Sequence, residues 1–330
     1  MYGAQYFIAK IPYFLRKAQH PLVNFKHTMK SKVDLKLILA LIGVALIWGT
    51  TYLGIRVAVS SIPAWYVTAI RQTIASLIIL VILIKQKELK WIGWSAFKRQ
   101  IILSILMVVI ANGLTTVAEK TIPSGLTSLI NATSPLLVFL GCVFLGIQKP
   151  SLKGFIGVFI GFLGIVFIFR DGITDLLEPG YRNGIIALVL AVTGWTIGTI
   201  YSKKHSGKPE YIFLNLFYQF VFSAIVQLGL AFIFSGKAEV STWKTESIFA
   251  AVYLAIFGSV LAFFCYHYAL KRVTASEVSI LTYFNTIIAI FLGWLILNEK
   301  VGMDLIVATA LIIAGVFITN YKKKGEFKPL

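Results

Sequence analysis

The chain carries one apolar pattern twice, in residues 102–168 and 253–319, 151 residues apart and without a gap. Identical residues mark the match at four places: Ala118 and Ala269, Ser128 and Ser279, Lys149 and Lys300, and Gly164 and Gly315. Duplicated apolar chains are typical of membrane proteins that are built from two related halves. This duplication constrains the fold before any single residue is considered.

Hydrophobic residues make up 58% of the chain and charged residues 13%, whereas a soluble domain is about a quarter charged. A helix needs roughly 20 apolar residues to cross a hydrocarbon core of about 30 Å. The sequence offers ten such runs, near residues 36–59, 63–84, 100–119, 123–147, 152–170, 183–202, 211–235, 247–270, 274–298 and 302–321. We therefore predict an all-α integral membrane protein with ten transmembrane helices.

The net charge of +18 is distributed between the two membrane faces, not concentrated in one patch. With the N-terminus in the cytoplasm, 23 of the 31 Lys and Arg residues fall in inner segments and 6 in outer ones. By the positive-inside rule this bias places both termini in the cytoplasm, in a multi-pass protein of the inner (plasma) membrane. A nucleic-acid partner is excluded, because a binding patch would not alternate with the spans.

Five spans per half is an odd number, so the second half enters the membrane upside down relative to the first. We predict two inverted five-helix repeats, residues 35–170 and 183–322, with a basic cytoplasmic tail at 323–330. Residues 1–34 are expected to form a cytoplasmic extension, which either lies in the membrane interface or precedes a true start at Met29. Two halves of similar fold can exchange conformations, which is alternating access.

Specific motifs follow this pattern. The run from Ala45 to Tyr52 (ALIWGTTY) and Arg71 in the second span resemble the EamA-type permeases of the drug/metabolite transporter superfamily. So do the segments Tyr268–Leu270, Thr274–Ser276, Leu297–Lys300 and Ala314–Val316, although the first half carries Gln148 where the family has an acid. The resemblance implies ten helices in two EamA repeats. It also implies export or import of small metabolites such as amino acids, amines or related compounds, and of the two directions we expect export.

Polar residues near the middle of the membrane are costly and tend to be functional. In the fourth span Ser128 and Asn131 share one helix face, and their counterparts in the ninth span are Ser279 and Thr282, followed by Thr286. Asn285 lies beside Thr286. We predict that these stripes face one substrate-binding cavity. Ordinary contact between helices is the alternative, because small polar residues also join membrane helices.

Aromatic residues repeat between the first and sixth spans. Trp48 and Tyr52 lie one turn apart, and Trp195 occupies the matching place in the sixth span. Both tryptophans lie away from the interfacial belts, so they are expected either to wall the cavity or to pack in the core. Arg56 and Lys203, near the span ends, are expected to snorkel.

Arg71 lies about 12 Å into the second span at 1.5 Å per residue, near the middle of the membrane. Such an arginine either holds a substrate carboxylate or braces helix-end carbonyls. Proton coupling needs a titratable group in reach of the cavity, and the few candidates are Glu119, His267 and Glu277. Asn112 and Thr116 share a face with Glu119 that could line an entry path.

We therefore predict a secondary transporter whose partners are a small-molecule substrate and the lipid bilayer, with a homodimer left open. No enzyme activity, cofactor or metal is expected, because no catalytic cluster or metal-ligand spacing occurs among the 13 acidic residues, 4 histidines and 2 cysteines. A channel, an integral-membrane enzyme or a receptor without transport activity are the alternatives.

Overall fold

The computed structural model describes residues 34–147, 149–169, 177–205, 211–275, 278 and 281–320. Within these ranges the regular structure is helical and contains no strand, as the apolar runs predict. The described residues from Lys36 onward belong to one compact unit.

Five helices form the first half of the chain. They are α1 (Leu35–Ala58), α2 (Ala64–Lys85), α3 (Trp94–Ala118), α4 (Ser124–Phe144) and α5 (Leu152–Phe169). Pro63 and Pro123 immediately precede α2 and α4, where a missing backbone N–H is tolerated best. Helix α4 is interrupted between Asn131 and Ser134, because Pro135 cannot donate the next helical hydrogen bond.

Five more helices lie in the second half of the chain. They are α6 (Pro179–Lys204), α7 (Ile212–Ser235), α8 (Thr245–Leu270), α9 (Leu281–Leu297) and α10 (Met303–Asn320).

Seven of these helices, α1 to α4 and α6 to α8, are long and apolar enough to cross a membrane, and α5, α9 and α10 are shorter apolar helices. Large apolar side chains cover the outside of the bundle; Phe144 is 90% exposed and Ile233 is 74% exposed. Such a surface suits lipid and not water. The protein is therefore a multi-pass integral membrane protein, while membrane crossing by all ten helices remains a prediction.

Several helices pack against their counterparts in the other half of the chain. Helix α2 packs along α7, α4 beside α9, and α5 along α10. The contact between α5 and α10 is the closest of these, since a Cβ added at Gly315 would lie only 2.5 Å from the carbonyl oxygen of Gly157. Small residues allow membrane helices to approach in this way.

Helices α3 and α8 each contain a π-helical segment, Ser104–Gly113 and Leu254–Leu261. The two segments overlap when the first is shifted by the 151-residue repeat. π-helical turns widen a helix locally and often occur at functional sites. The residues around these two segments are therefore candidates for a functional site.

Candidate functional site

A cavity lies among α1, α2, α3, α4, α6, α8 and α9, with about 740 Å³ of unoccupied space, part of which is open to solvent. Its wall is mainly apolar and aromatic, with amide, hydroxyl and guanidinium groups among these side chains. This lining is typical of a site for a small organic molecule.

Seven of the ten residues predicted to bind substrate line this cavity: Trp48, Tyr52, Arg71, Asn131, Trp195, Thr282 and Asn285. They come from both halves of the chain, as the repeat argument expects. Ser279, like the candidate proton-coupling residue Glu277, lies outside the described residues.

Ser128 and Thr286 are placed differently from the prediction. Both are buried between α4 and α9, where the Thr286 hydroxyl donates to the carbonyls of Ser128 (3.1 Å) and Thr282 (2.9 Å). The Ser128 hydroxyl donates to the carbonyl of Gly125 at 2.7 Å. Their geometry therefore matches the alternative, contact between helices, because a hydroxyl bonded to backbone carbonyls is turned away from a ligand.

Arg71 is 2% exposed, yet its guanidinium reaches the cavity wall. Its Nε donates to Ser259 Oγ at 2.8 Å, and its Nη1 donates to Asn112 Oδ1 at 2.7 Å. Asn112 and Ser259 lie on the two π-helical segments, one in each half. Both acceptors are neutral, so they fix the direction of the guanidinium without cancelling its charge.

Aromatic side chains form another part of the cavity wall. Trp48 and Trp195 meet edge to face with 5.1 Å between ring centroids, and the Tyr266 ring lies 5.0 Å from Trp195. Trp48 donates from Nε1 to the carbonyl of Gly258 at 3.2 Å, and Thr199 bonds to the Tyr266 hydroxyl at 2.7 Å. The tryptophans therefore wall the cavity and pack together, which joins the two roles that the sequence left open.

The side chains of Arg56 and Lys203 donate hydrogen bonds to backbone carbonyls. Arg56 donates from Nη1 to the carbonyl of Glu119, and Lys203 donates from Nζ to the carbonyls of Leu270 (2.9 Å) and Val273 (2.8 Å). The prediction of snorkelling missed this because the free carbonyls at a helix C-terminus attract a cation.

These two contacts are also related by the duplication. Glu119 and Leu270 are 151 residues apart, and Arg56 and Lys203 have the same spacing of 147 residues as Trp48 and Trp195. In each half, therefore, a basic residue near the end of the first helix is hydrogen-bonded to a backbone carbonyl at the end of the third helix.

Glu119 is fully buried, and both of its carboxylate oxygens lack a hydrogen-bond partner. Arg56, Arg71 and Glu299 all lie within electrostatic range of it. It also interacts electrostatically with Tyr52, whose hydroxyl lies beside Asn131 at the cavity wall. Glu119 is therefore next to the cavity without lining it.

Glu299 binds the N-terminus of α4. Its carboxylate accepts hydrogen bonds from the Ser124 N–H (2.8 Å), the Ser124 hydroxyl (2.9 Å) and the Gly125 N–H (3.1 Å). A helix N-terminus carries unpaired N–H groups and a partial positive charge, so it stabilises an ionised carboxylate.

His267 lies apart from the central cavity. It lines a second pocket of about 420 Å³ with Gln100, Gln219 and Lys271, and its Nε2 has no hydrogen-bond partner. The sequence placed His267 in reach of the central cavity. The structure places it in the second pocket, while the aromatic cluster of Trp48, Trp195 and Phe263 lies in the packed core between α1, α6 and α8.

Sequence reasoning missed several cavity residues, namely Thr51, Thr115 and Tyr266, and it missed Ser259, which holds Arg71. Asn112 was expected along an entry path and instead bonds to Arg71 in the cavity. The signal that could have found Ser259 is the adjacent pair Gly258 and Ser259 in an otherwise apolar span.

A helical membrane bundle around a cavity that both halves of the chain line is the arrangement of a membrane transporter. The sequence model of the EamA-like transporter family matches residues 35–170 and 182–321, and the chain belongs to this family.

Relatives of similar length include two with transporter names. The chain is 26% identical over 286 residues to the uncharacterized transporter YoaV of Bacillus subtilis strain 168, covering 87% of this chain and 97% of YoaV. It is 26% identical over 311 residues to the uncharacterized inner membrane transporter YedA of Escherichia coli K12, covering 92% and 96%. Protein PagO of Salmonella typhimurium LT2 is 27% identical over 290 residues, covering 87% and 93%.

A solved crystal structure with 19% sequence identity superposes with a TM-score of 0.63, covering 86% of this chain and 96% of that one. At this identity the likeness concerns the fold alone.

Proposed function

We propose that the protein is a secondary transporter that moves a small organic metabolite, such as an amino acid, an amine or a related compound, by alternating access. Export across the inner membrane is the favoured direction. The single observation that carries the proposal is the central cavity, to which both halves of the duplicated chain contribute polar and aromatic side chains.

The proposed mechanism rests on inverted symmetry. With both termini in the cytoplasm, the Arg56 contact with Glu119 falls at the outer face, and the Lys203 contact with Leu270 falls at the inner face. Packing of α2, α4 and α5 against α7, α9 and α10 fits a pseudo-two-fold axis in the membrane plane. Exchange of conformation between the halves would open the cavity to one face while it closes the other.

In this proposal Arg71, Asn131, Thr282 and Asn285 supply the polar contacts to substrate, and Trp48, Tyr52 and Trp195 enclose its apolar part. Glu119 is better placed than His267 for proton coupling, because it interacts electrostatically with Arg71 and Tyr52, which line the cavity. His267 would act only through the second pocket.

Counterflow in proteoliposomes tests the transport function. Vesicles preloaded with each member of a panel of amino acids, organic acids and amines should take up the labelled compound in a saturable manner. Arg71→Ala should reduce this uptake at least tenfold, because removing a bidentate charged group costs about 1.5–3 kcal/mol per charged hydrogen bond. Gly229→Ala on α7, where an added Cβ meets nothing within 4 Å, is the matched control and should keep full uptake.

Flux that never saturates would indicate a channel and contradict the proposal. Unchanged uptake of every compound by Arg71→Ala would remove Arg71 from the binding site.

A further inference from the structure

Four charged side chains lie near enough to interact electrostatically beside the cavity. Arg56, Arg71 and Glu299 lie within electrostatic range of Glu119. With every group ionised, two positive and two negative charges give a net charge of zero. Because the group is buried, a net charge on it would cost considerable free energy, since few water molecules or ions are close enough to neutralise that charge.

The two carboxylates of this group differ in their hydrogen bonds. Glu299 accepts three, all at the N-terminus of α4, so both of its carboxylate oxygens have donors. Glu119 accepts none, although it is fully buried. A buried carboxylate without donors is the one whose charge is least well stabilised, so Glu119 is the member that gains a proton when the balance changes.

The two arginines differ as well. Arg56 is already bonded to the carbonyl of Glu119. Arg71 is bonded only through neutral acceptors, Asn112 and Ser259, and faces the cavity. An anion that enters the cavity therefore meets the guanidinium of Arg71, while a cation is repelled by it.

We propose that the substrate is an organic carboxylate with an aromatic or apolar body, and that it is carried together with one proton. The substrate carboxylate binds Arg71 and adds one negative charge, and the Glu119 carboxylate takes a proton from water, so the group returns to a net charge of zero. This inference rests on the proposed transport function, and it selects acids over amines among the proposed substrates.

The surroundings fit this assignment. The titratable and charged groups that face Glu119 are Tyr52 and Arg56 on α1, Arg71 on α2 and Glu299 beyond α9. In the same cavity, the rings of Trp48, Trp195 and Tyr266 offer an apolar surface for the rest of the molecule.

Three probes of one skeleton test the substrate class. N-acetyl-L-phenylalanine is an anion, its amide is neutral, and L-phenylalaninamide is a cation. Binding to the purified full-length protein in detergent, measured by thermal shift and calorimetry, should favour the anion over the other two. Arg71→Gln should weaken binding of the anion roughly tenfold to a hundredfold, and Arg71→Lys should restore part of it.

Equal or better binding of the neutral or cationic probe, or binding of none of the three, would overturn the assignment. If amines show saturable counterflow that Trp48→Ala abolishes and Arg71→Gln does not, the carboxylate inference fails while transport stands. Absence of counterflow for the whole panel would instead remove transport itself.

Proteoliposomes with a pH-sensitive dye inside test the proton. Uptake of N-acetyl-L-phenylalanine should acidify the interior by one proton per molecule, after subtraction of the flux into protein-free vesicles. Glu119→Gln should keep exchange of the anion and lose accumulation driven by a pH gradient. Glu88→Gln, an exposed glutamate outside the charged group, is the matched control and should keep that accumulation.

Thermal unfolding first establishes that each variant is folded, and the stoichiometry in the unaltered protein needs no variant. A ratio of zero protons, or pH-driven accumulation that persists in Glu119→Gln, would overturn the role of Glu119.

Discussion

A single glycine decides whether the Glu299 side chain can reach the N-terminus of α4. Gly293 on α9 faces the carboxylate of Glu299, and a Cβ added there would lie 2.5 Å from Glu299 Oε2 and 2.7 Å from Ser124 Oγ. Only glycine therefore leaves room for Glu299 to reach the N-terminus of α4.

Gly293→Ala should destabilise the protein by about 1–3 kcal/mol, through overpacking and loss of the helix cap. The free and buried thiols of Cys142 and Cys265 allow a direct measurement, because a thiol-reactive dye reports their exposure as the protein unfolds in detergent. Gly229→Ala, a helical glycine with open space around it, should leave the midpoint unchanged or slightly raised. Equal midpoints for the two variants would contradict the proposed crowding.

At the residue scale, the sequence predicted those site residues that stand out chemically within an apolar span. Arg71, Asn131, Trp48 and Trp195 are of this kind, and all four line the cavity. The role of Glu299 could not be predicted, because it depends on where a helix 175 residues away begins. Nor could the turning of Ser128 away from the cavity, because a serine hydroxyl bonds to its own backbone as readily as to a ligand.

At the scale of helices, the contact between α5 and α10 has no room for side chains. A Cβ at Gly315 would lie 2.5 Å from both the Gly157 oxygen and the Gly161 nitrogen. These are backbone atoms, so the helices would have to separate to admit it.

Gly315→Ala should therefore lower the free energy of unfolding by about 1–3 kcal/mol. The same thiol-dye measurement checks it. Ala310→Leu is the control on the same helix; position 310 is exposed on the lipid-facing side, so added bulk there should have no effect. Destabilisation by Ala310→Leu to the same extent would show that the effect is not specific to the helix contact.

Apolar runs predicted the existence and order of the helices better than their ends. Helix α3 begins at Trp94, ahead of the predicted start at residue 100, because helical hydrogen bonding continues past the apolar stretch through Lys98 and Arg99. The π-helical segments in α3 and α8 were not predicted, since an extra residue in a turn leaves no mark on an almost uniformly apolar run. Ser259, which accepts a hydrogen bond from Arg71, was missed as well.

For the whole molecule, the proposed inversion of the second half makes a prediction about equivalent positions. Lys149 and Lys300 occupy the same place in the two copies of the pattern, yet with an odd number of spans between them they should face opposite sides of the membrane.

Single cysteines at position 149 and position 300, in a variant with Cys142 and Cys265 replaced, test this. A membrane-impermeant thiol reagent added outside should label position 300 and not position 149, and the reverse should hold for inside-out vesicles. Labelling of both positions from one side would contradict the inversion and with it the alternating-access mechanism.

The hydrogen bonds from Arg56 and Lys203 to backbone carbonyls affect how the two halves of the chain could diverge in sequence. In each, the acceptor belongs to the main chain, which no substitution can delete. Any long basic side chain at the donor position can bond to that carbonyl. One half could therefore carry arginine and the other lysine while both hydrogen bonds are kept. The two halves thus keep an equivalent contact through the backbone although the donor side chains differ.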